Sequence, residues 1–247
     1  MDRMAYVAMT GARQTELAQA VTANNIANAS TTGFRADLHG FQSIEVEGPG
    51  RTTRVNAVGE VFGTDFQPGT VTTTGRDLDV AIAGSGFFAV QSKDGSEAYT
   101  RAGDFRVNAV GQLLTAGGEA VLGERGPVAI PPSTSITIGT DGTVSVTPLG
   151  QGPEAQAIVD RIKLVNPPVQ DLDKGSDGLF RRTDAASSNA DANVAVRVGS
   201  LESSNVNIAD ELVNMISLAR RYEMQLKAIE TTEENADSAA AMLRLRG

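Results

Sequence analysis

The most regular apolar pattern in the chain lies near its C-terminus. Because heptad spacing keeps one face of a helix against a partner helix, this pattern predicts a long C-terminal helix. Asn207 is expected to cap its first turn, with Asp210 three residues further along. Alternate steps of four and three residues from Ile208 reach Leu212, Met215, Ala219, Tyr222, Leu226, Ile229, Glu233, Ala236, Ala240 and Leu243, of which only Glu233 is not apolar.

The beginning of the chain also favours a helix. From Asp2 to Ala29 there is no proline and a single glycine, Gly11, whereas alanine, glutamine and methionine, which are good helix formers, are frequent. The apolar residues expected on one side of this helix are Met4, Val7, Ala18 and Val21, in a row that Gly11 and Gln14 interrupt. Two helices at opposite ends of the sequence are expected to pair with each other, with the middle of the chain inserted between them.

The middle of the chain shows the alternation and turn residues of antiparallel strands. In residues 77–82 the apolar residues take every second place, which is typical of a strand with one buried face. Strand-like residues 136–138 and 144–146 flank Asp141-Gly142, a pair suited to a hairpin turn with positive φ. Residues 158–165 are expected to form one further strand.

These patterns together predict an α+β fold. Long N- and C-terminal helices are expected to pack as a coiled-coil-like layer, built from residues 1–34 and 205–247. An antiparallel β domain is expected over residues 76–180. The stretches 35–75 and 181–204 are polar and rich in glycine, threonine, serine and asparagine, so they are expected to be extended connections.

The C-terminal apolar face is longer than one interrupted N-terminal helix can cover. Burying a leucine-sized side chain is worth about 1.5–3 kcal/mol, so several uncovered ones favour association. Neighbouring copies are therefore expected to supply the missing cover. The residues expected to pack between subunits are Leu212, Met215, Ala219, Tyr222, Leu226 and Ile229.

An unusual group of asparagines lies at the end of the N-terminal helix. Asn24, Asn25 and Asn28 occur close together, although asparagine is a mediocre helix former. One interpretation is a fraying helix end with Gly33 as its C-cap. A second is that the amides make polar contacts that fix the register between packed helices, as a buried asparagine does in a coiled coil. The two interpretations are compatible.

Composition excludes several kinds of chemistry. The 247 residues include no cysteine, which excludes thiolate metal sites, disulfides and cysteine nucleophiles. With 30 acidic and 21 basic residues the net charge is −9, which does not favour nucleic acid or an anionic membrane as a partner. No apolar run approaches the roughly 18 residues of a membrane span, so no membrane insertion is expected. The short apolar stretch near the start does not resemble a cleaved signal peptide.

No group of residues predicts a catalytic or cofactor site. Gly84 and Gly86 match part of a dinucleotide-binding fingerprint, but a strand is expected after them where that fingerprint needs a helix, which favours a tight turn. Asp77 and Asp79 are expected on the solvated face of a strand, and His39 in an exposed loop. We expect no metal, no cofactor and no enzymatic activity.

Three separate motifs, in order along the chain, resemble bacterial flagellar rod and hook proteins. The N-terminal motif comprises residues 23–28 (Ala-Asn-Asn-Ile-Ala-Asn) and 32–34 (Thr-Gly-Phe), and the C-terminal motif residues 204–207 (Ser-Asn-Val-Asn), 211–213 (Glu-Leu-Val) and 220–223 (Arg-Arg-Tyr-Glu). Residues 78–82, 84–88 and 99–105 are similar to the β domain of the same family. The resemblance covers nearly the whole chain and is greatest for the proximal-rod members, with distal-rod members next.

The resemblance implies an axial structural subunit of the flagellar basal body, in the rod that crosses the periplasm. It implies as partners copies of the chain, other proximal- and distal-rod subunits and, during secretion without a cleaved signal, the flagellar export apparatus. In such proteins the terminal helices line the channel of a helical tube that transmits torque, and the β domain lies outside. The motif residues expected to make polar register contacts are Asn24, Asn25, Asn28, Asn205 and Asn207, and those expected at the helix end and turn are Gly33 and Phe34.

Two interpretations from other functional classes stay open at this point. Strands rich in threonine and glycine are compatible with a secreted carbohydrate-binding β domain on helical arms. Three tyrosines and no tryptophan, however, provide few of the aromatic platforms that sugar binding uses. The glycines at 84 and 86 are the sole motivation for a nucleotide-dependent enzyme.

Overall fold

The computed structural model describes residues 3–45, 55–150 and 155–244. The chain forms two compact units. The helical unit comprises Met1–Ala27, Asp37–Asp65 and Val206–Gly247, and the β unit comprises Asn28–Ala36 and Phe66–Asn205. Helices near both ends of the chain and a middle rich in antiparallel strands confirm the predicted mixture of helix and sheet.

The helical unit contains two long helices and a hairpin. Its elements are α1 (Arg3–Ala27), β1 (Asp37–Glu45), β2 (Val55–Thr64) and α2 (Ile208–Arg244), with β1 and β2 paired antiparallel. Asn207 caps α2, as predicted: its Oδ1 accepts a hydrogen bond from the Ala209 N–H at 3.1 Å, and its Nδ2 donates to Asp210 at 2.6 Å. Acidic residues in this first turn also suit the positive end of the helix dipole.

Small and polar side chains of α1 face α2. The buried residues along this face of α1 are Ala12, Thr15, Ala18, Thr22 and Asn25. Thr15 Oγ1 donates to Gln225 Oε1 of α2 at 3.1 Å. A Cβ at Gly11 would lie 2.8 Å from Gln225 Nε2, so the glycine permits this close approach.

The apolar row predicted for α1 therefore coincides only in part with the buried face of the helix. Ala18 is buried, whereas Val7 and Val21 are half-buried and the side chain of Met4 lies outside the described residues. The physical reason is backbone proximity: glycine, alanine and threonine let the two helices approach closely, which larger side chains would prevent. The interruption at Gly11 is thus part of the contact face.

The heptad face predicted for α2 is only partly covered within the chain. Met215, Tyr222 and Ile229 are half-buried, but Leu212, Ala219 and Leu226 are exposed, the two leucines by 49% and 47%. Leu218, which the heptad count omitted, is buried, with 4% exposure. Glu211 and Gln225 of α2 bond to polar partners on α1. The face of α2 that contacts α1 is thus rotated from the apolar one because it matches the polar residues of α1.

The β unit is a series of short strands. They are β3 (Val71–Thr73), β4 (Val80–Ala83), β5 (Phe87–Gln91), β6 (Glu97–Thr100), β7 (Arg106–Val107), β8 (Leu113–Leu114), β9 (Ala120–Gly123), β10 (Gly126–Pro127), β11 (Ser133–Ile138), β12 (Thr143–Pro148), β13 (Ala157–Arg161), β14 (Leu164–Val165), β15 (Leu172–Lys174), β16 (Phe180–Arg182), β17 (Ala195–Val198) and β18 (Ser200–Glu202). A short 3₁₀ turn at Val169–Asp171 precedes β15.

All the pairings between these described strands are antiparallel. The largest sheet has the order β15-β16-β6-β5-β9-β8-β7, with β10 beside β9 and β14 beside β5. A second sheet has the order β11-β12-β13, and the pairs β17-β4 and β18-β3 complete the unit. The predicted hairpin at Asp141-Gly142 joins β11 to β12, with Gly142 at φ 85°. The single strand predicted over 158–165 is instead two, because β13 pairs with β12 and β14 with β5.

The core of the β unit is made of aliphatic residues and a few aromatic rings. Its larger cluster surrounds Phe88 and Phe105, whose rings meet edge to face at 5.1 Å. A smaller cluster contains Phe87, Tyr99 and Phe180. The residues 77–82 are more buried than their alternation predicts, since Asp79 and Ala81 are buried along with Val80 and Ile82.

The two stretches expected to be extended connections contain strands. Residues 35–75 include β1, β2 and β3, and residues 181–204 include β17 and β18. In the second stretch β17 pairs with β4 and β18 with β3. Backbone pairing needs no regular apolar pattern, so a sequence rich in threonine, glycine and serine gives little sign of it.

Gly33 occupies a crowded turn beyond the end of α1. The helix ends at Ala27, so Gly33 is not its C-cap, which corrects one interpretation of the asparagine segment. Its φ is 67°, and its N–H donates to the Glu202 carbonyl at 2.8 Å. A Cβ here would lie 2.3 Å from the Arg101 carbonyl carbon. Glycine is therefore required both by the backbone angle and by the adjacent chain.

We predict that Gly33→Ala destabilises the chain more than Gly75→Ala does. Gly75 has a φ of 77°, but no atom lies within 4 Å of the place that a Cβ would take, so its substitution carries only the backbone penalty of about 1–2 kcal/mol. Gly33→Ala adds a steric clash of roughly 1–3 kcal/mol. Urea denaturation of both variants measures the difference, and equal losses would mean that the close contact at Gly33 carries no cost.

Candidate subunit interface

An exposed apolar stripe runs along α2. We define the α2 stripe as Ile208, Leu212, Ile216, Ala219 and Leu226, all of them exposed. Steps of four, four, three and seven residues keep these positions on one face of a helix. Met215, Tyr222 and Ile229, which are half-buried, lie between this stripe and the face that contacts α1. The residues predicted to pack between subunits are thus divided between the stripe and its border.

The helical unit exposes further large apolar side chains on α1. Tyr6, Met9 and Leu17 are all more than half exposed. Scattered apolar residues are ordinary on protein surfaces, but a continuous row several residues long is typical of an interaction site. The α2 stripe is such a row, and the cost of leaving it in water favours a partner surface.

Asn25 links three segments of the helical unit. It is 1% exposed; its Nδ2 donates to the Asp37 carbonyl at 3.0 Å and to Glu211 Oε1 at 2.9 Å, and its Oδ1 accepts from the Asp37 N–H at 2.9 Å. One amide therefore connects α1, the first residue of β1 and the first turn of α2. An unmade bond at a buried site of this kind costs about 1–3 kcal/mol.

The other predicted asparagines occupy separate positions. Asn24 is exposed on α1, and Asn28 accepts hydrogen bonds from the Thr31 hydroxyl and N–H, both at 3.1 Å. In the β unit, Asn205 Oδ1 accepts from the Ala36 N–H at 2.8 Å, and its Nδ2 donates to the Gln67 carbonyl at 3.1 Å. The asparagines are therefore not one cluster, and the bonds of Asn25 join the two helices.

The buried charges of the β unit were not anticipated from the sequence. Arg35 and Glu202 are each 1% exposed and Arg101 is 5% exposed. Arg35 Nη2 donates to Glu202 Oε1 at 2.5 Å, and Arg101 Nε lies 3.5 Å from Glu202 Oε2. Burial lowers the pKa of the Arg101 guanidinium, as does the charge of Arg35, while Glu202 opposes the shift. Only the position of Arg35 directly after the Thr-Gly-Phe motif could have drawn attention to it.

Further contacts surround this charged group. The Gly69 N–H donates to Glu202 Oε1 at 2.9 Å, and Arg101 Nη2 donates to the Gly84 carbonyl at 2.7 Å. Lys174 Nζ donates to the Arg35 carbonyl at 2.8 Å and lies 3.9 Å from the ring centre of Phe34. Phe34 is buried in the β unit. Its ring packs there and makes a cation–π contact with the Lys174 ammonium group.

The residues considered for nucleotide or acid–base chemistry have structural surroundings. Gly84 and Gly86 form the turn from β4 to β5, so no helix begins there to hold a pyrophosphate, as expected. Asp79 is buried, which corrects the expected solvated face: it accepts bonds from Thr74 at 2.6 Å and Arg76 Nε at 2.8 Å. His39 is in β1 and not in a loop.

The described part of the chain offers neither a metal-binding cluster nor a membrane-spanning helix. Residues 3–45, 55–150 and 155–244 contain no group of three or more histidine, cysteine, aspartate or glutamate side chains that could hold a metal ion. Neither α1 nor α2, over the residues that the structure describes, is long and apolar enough to span a membrane.

We predict that Asn25→Ala lowers the free energy of unfolding by about 1–3 kcal/mol, because the Asp37 N–H and the Glu211 carboxylate lose a partner. Asn25→Asp is expected to cost more, since it places a second carboxylate against Glu211. Asn24→Ala, one residue away but exposed, is the matched control and is expected to cost less than about 0.5 kcal/mol, because water can replace any bond that an exposed amide loses. Denaturation of the three purified variants measures these differences; equal effects at positions 24 and 25 would contradict the assignment.

Comparison with known proteins identifies relatives along the whole chain. Family models match residues 6–35 (flagella basal body rod protein), 81–146 (flagellar hook protein FlgE/F/G D1 domain) and 197–242 (flagellar basal body rod FlgEFG protein, C-terminal). The flagellar basal-body rod protein FlgF of Escherichia coli (strain K12) is 43% identical, and that of Salmonella typhimurium is 41% identical, each over 99% of this chain and 100% of the relative. The flagellar basal-body rod protein FlgG of Buchnera aphidicola subsp. Schizaphis graminum is 34% identical over 93% of this chain and 95% of its own length. This chain therefore belongs to the flagellar basal-body rod protein family.

Proposed function

We propose that this chain is a structural subunit of the proximal part of the flagellar basal-body rod, assembling with copies of itself and with related rod proteins. The observation that carries the proposal is the exposed α2 stripe, in a chain whose full-length relatives are named rod proteins. An exposed apolar stripe of this kind is unfavourable in water, so it is expected to be covered by a partner surface. The FlgF proteins of Escherichia coli and Salmonella typhimurium, at 43% and 41% identity over their full length, support the proximal over the distal rod, although other FlgF proteins, at 34% and 30%, are no more similar than the FlgG protein at 34%.

In this proposal the α2 stripe of each subunit is covered by a different surface on the terminal helices of its neighbour. Leu212 and Leu226 pack against a neighbour, while Met215, Tyr222 and Ile229 contact both α1 and that neighbour. The helices would then form the coiled-coil-like layer that the heptad spacing predicts, completed only between chains. A contact between two different surfaces of the subunit generates an open helical assembly when its rotation does not close into a ring.

The proposed role is mechanical. A rod that transmits torque needs many small interfaces held in a fixed register, and no bond is made or broken. The hydrogen bonds of Asn25 support this proposal because they hold α1 against α2 at one relative position along their length. Buried polar pairs specify register well, since a shifted arrangement leaves the same groups without partners.

The route to the rod is part of the same proposal. We infer that the chain lies in the basal body, in the rod that crosses the periplasm, and that the flagellar export apparatus secretes it without cleaving a signal. A chain without cysteine suits passage in an unfolded state, because no thiol can be oxidised on arrival.

We predict that Leu212→Asp abolishes rod assembly and swimming without unfolding the subunit. Leu212 is 49% exposed, so a charge there is tolerated by the isolated chain but is buried without a partner in the assembled layer. Asn214→Asp, an exposed position nearby on α2, adds the same charge away from the stripe and is expected to swim normally. Swimming in soft agar, yield of isolated basal bodies and melting temperature of the purified subunit are the measurements.

The outcomes for Leu212→Asp are distinguishable. A subunit that melts within about 2 °C of the wild type, in cells that do not swim, is expected. Normal swimming would overturn the proposed interface, and loss of swimming in Asn214→Asp as well would mean that added charge anywhere on α2 is harmful.

We also predict that the amides of α2 gain protection on assembly. Most of its surface is exposed in the single chain, and long helices with little tertiary cover open readily in water. Hydrogen exchange of the amides between Ile208 and Arg244 is expected to slow by about 100-fold in assembled rods, whereas amides of buried strands such as β5 change little. Equal exchange in monomer and rod would contradict a role for α2 between subunits.

A further inference from the structure

The β unit contains a cavity of about 650 Å³ that the rod interface described above does not use. Its exposed margin includes Ala83, Gly84, Ser85 and Arg197, and its buried lining includes Arg35, Arg101 and Glu202. Much of the remaining wall is apolar, with Phe66, Phe87 and Pro168 among the residues. The cavity thus combines an open margin, apolar walls and charges at its most buried part.

The charges that line this cavity do not balance. The lining residues include three arginines, Arg35, Arg101 and Arg197, and one carboxylate residue, Glu202. Glu202 Oε1 already accepts bonds from Arg35 Nη2 and the Gly69 N–H, and its Oε2 is 3.5 Å from Arg101 Nε without a hydrogen bond. One carboxylate therefore serves two buried cations, and the lining carries an excess of positive charge.

Two buried donors of the cavity lack acceptors. Arg35 Nη1 and Arg101 Nη1 have no hydrogen-bond partner among the described residues, and both arginines are at least nine-tenths buried. Nearly all buried polar groups in folded proteins have a hydrogen-bond partner, so these two guanidinium groups retain the capacity to bind an acceptor. A carboxylate suits such donors, because hydrogen bonds from a guanidinium to a carboxylate are charge-assisted and strong.

We propose that this cavity is a carboxylate-binding site, and that it receives an aspartate or glutamate side chain of a neighbouring rod subunit. The choice of a subunit as the source rests on the proposed function, whereas the carboxylate chemistry does not. A chain with 30 acidic and 21 basic residues presents an excess of carboxylates on its surface, so the neighbours of each subunit in the rod are acidic. The apolar walls accommodate the methylene stem of such a side chain.

The first experiment tests whether the full purified chain binds a small-molecule carboxylate. The probe is N-acetylglutamic acid α-amide, with N-acetylglutamine α-amide as the uncharged control at equal ionic strength. We expect saturable shifts of the Gly69 and Gly84 amide resonances with the acid at millimolar concentration and none with the amide. Arg101→Gln is expected to weaken binding at least tenfold, whereas Arg125→Gln, an exposed arginine outside the cavity, leaves it unchanged.

A second pair of variants keeps the test independent of the buried arginines. Ser85 is exposed on the margin of the cavity, so Ser85→Glu provides a carboxylate from within the chain and Ser85→Gln provides a side chain of the same size without charge. We expect Ser85→Glu to bind the acid at least tenfold more weakly than Ser85→Gln does. In cells, Ser85→Glu is expected to reduce rod yield and swimming, and Ser85→Gln to retain both.

Each outcome decides one part of the proposal. Absence of binding by the acid, in a folded wild-type chain, overturns the site and leaves water as the partner of the two donors. Binding that Ser85→Glu removes, combined with normal swimming of that variant, overturns the neighbouring subunit as the source. The failure of this site is distinguishable from failure of the proposed function. If Leu212→Asp cells do not swim, while Ser85→Glu cells swim normally and the probe does not bind, the rod function is retained and this site is rejected.

Discussion

The pairing of the two ends of the chain is the constraint on which the helical unit depends. Asn25 makes that pairing specific, because its single buried amide bonds to α2 and to the start of β1. Small residues on α1 let the helices approach, and Thr15 and Gln225 add a second polar contact along the same face. If α1 slid along α2, both polar contacts would break, so the register of the two helices is fixed at two positions along their length.

This arrangement explains why an apolar row remains exposed. The face of α2 that meets α1 carries Glu211, Leu218 and Gln225, which match the small and polar residues opposite. The leucines at 212 and 226 are consequently turned away from α1. One side of α2 therefore packs within the chain, whereas its exposed leucines favour association. This combination allows a subunit to fold alone and still bind its neighbours.

The β unit has a different basis for its stability. Its strands are short and belong to several sheets, and its core consists of valine, isoleucine and a few phenylalanines. Close backbone approaches complete it, with Gly33 against residues 101 and 102 and Gly103 against the Val80 carbonyl. The buried charges of Arg35, Arg101 and Glu202 join segments that are far apart in the sequence. The Thr-Gly-Phe motif that precedes Arg35 is therefore a packing element of this unit and not the end of a helix.

The sequence by itself determined the two terminal helices, the Asn207 cap, the hairpin at Asp141-Gly142 and the strand-turn-strand at Gly84, because each depends on residues near one another in the chain. It also determined the family, through three motifs in order. Only the tertiary structure decided which face of α2 meets α1, where the strands of residues 35–75 and 181–204 pair, and that Asp79, Arg35 and Glu202 are buried. The helix contacts join partners 186 residues apart, as between Asn25 and Glu211, and 210 apart, as between Thr15 and Gln225. No local pattern specifies which groups will meet across such separations.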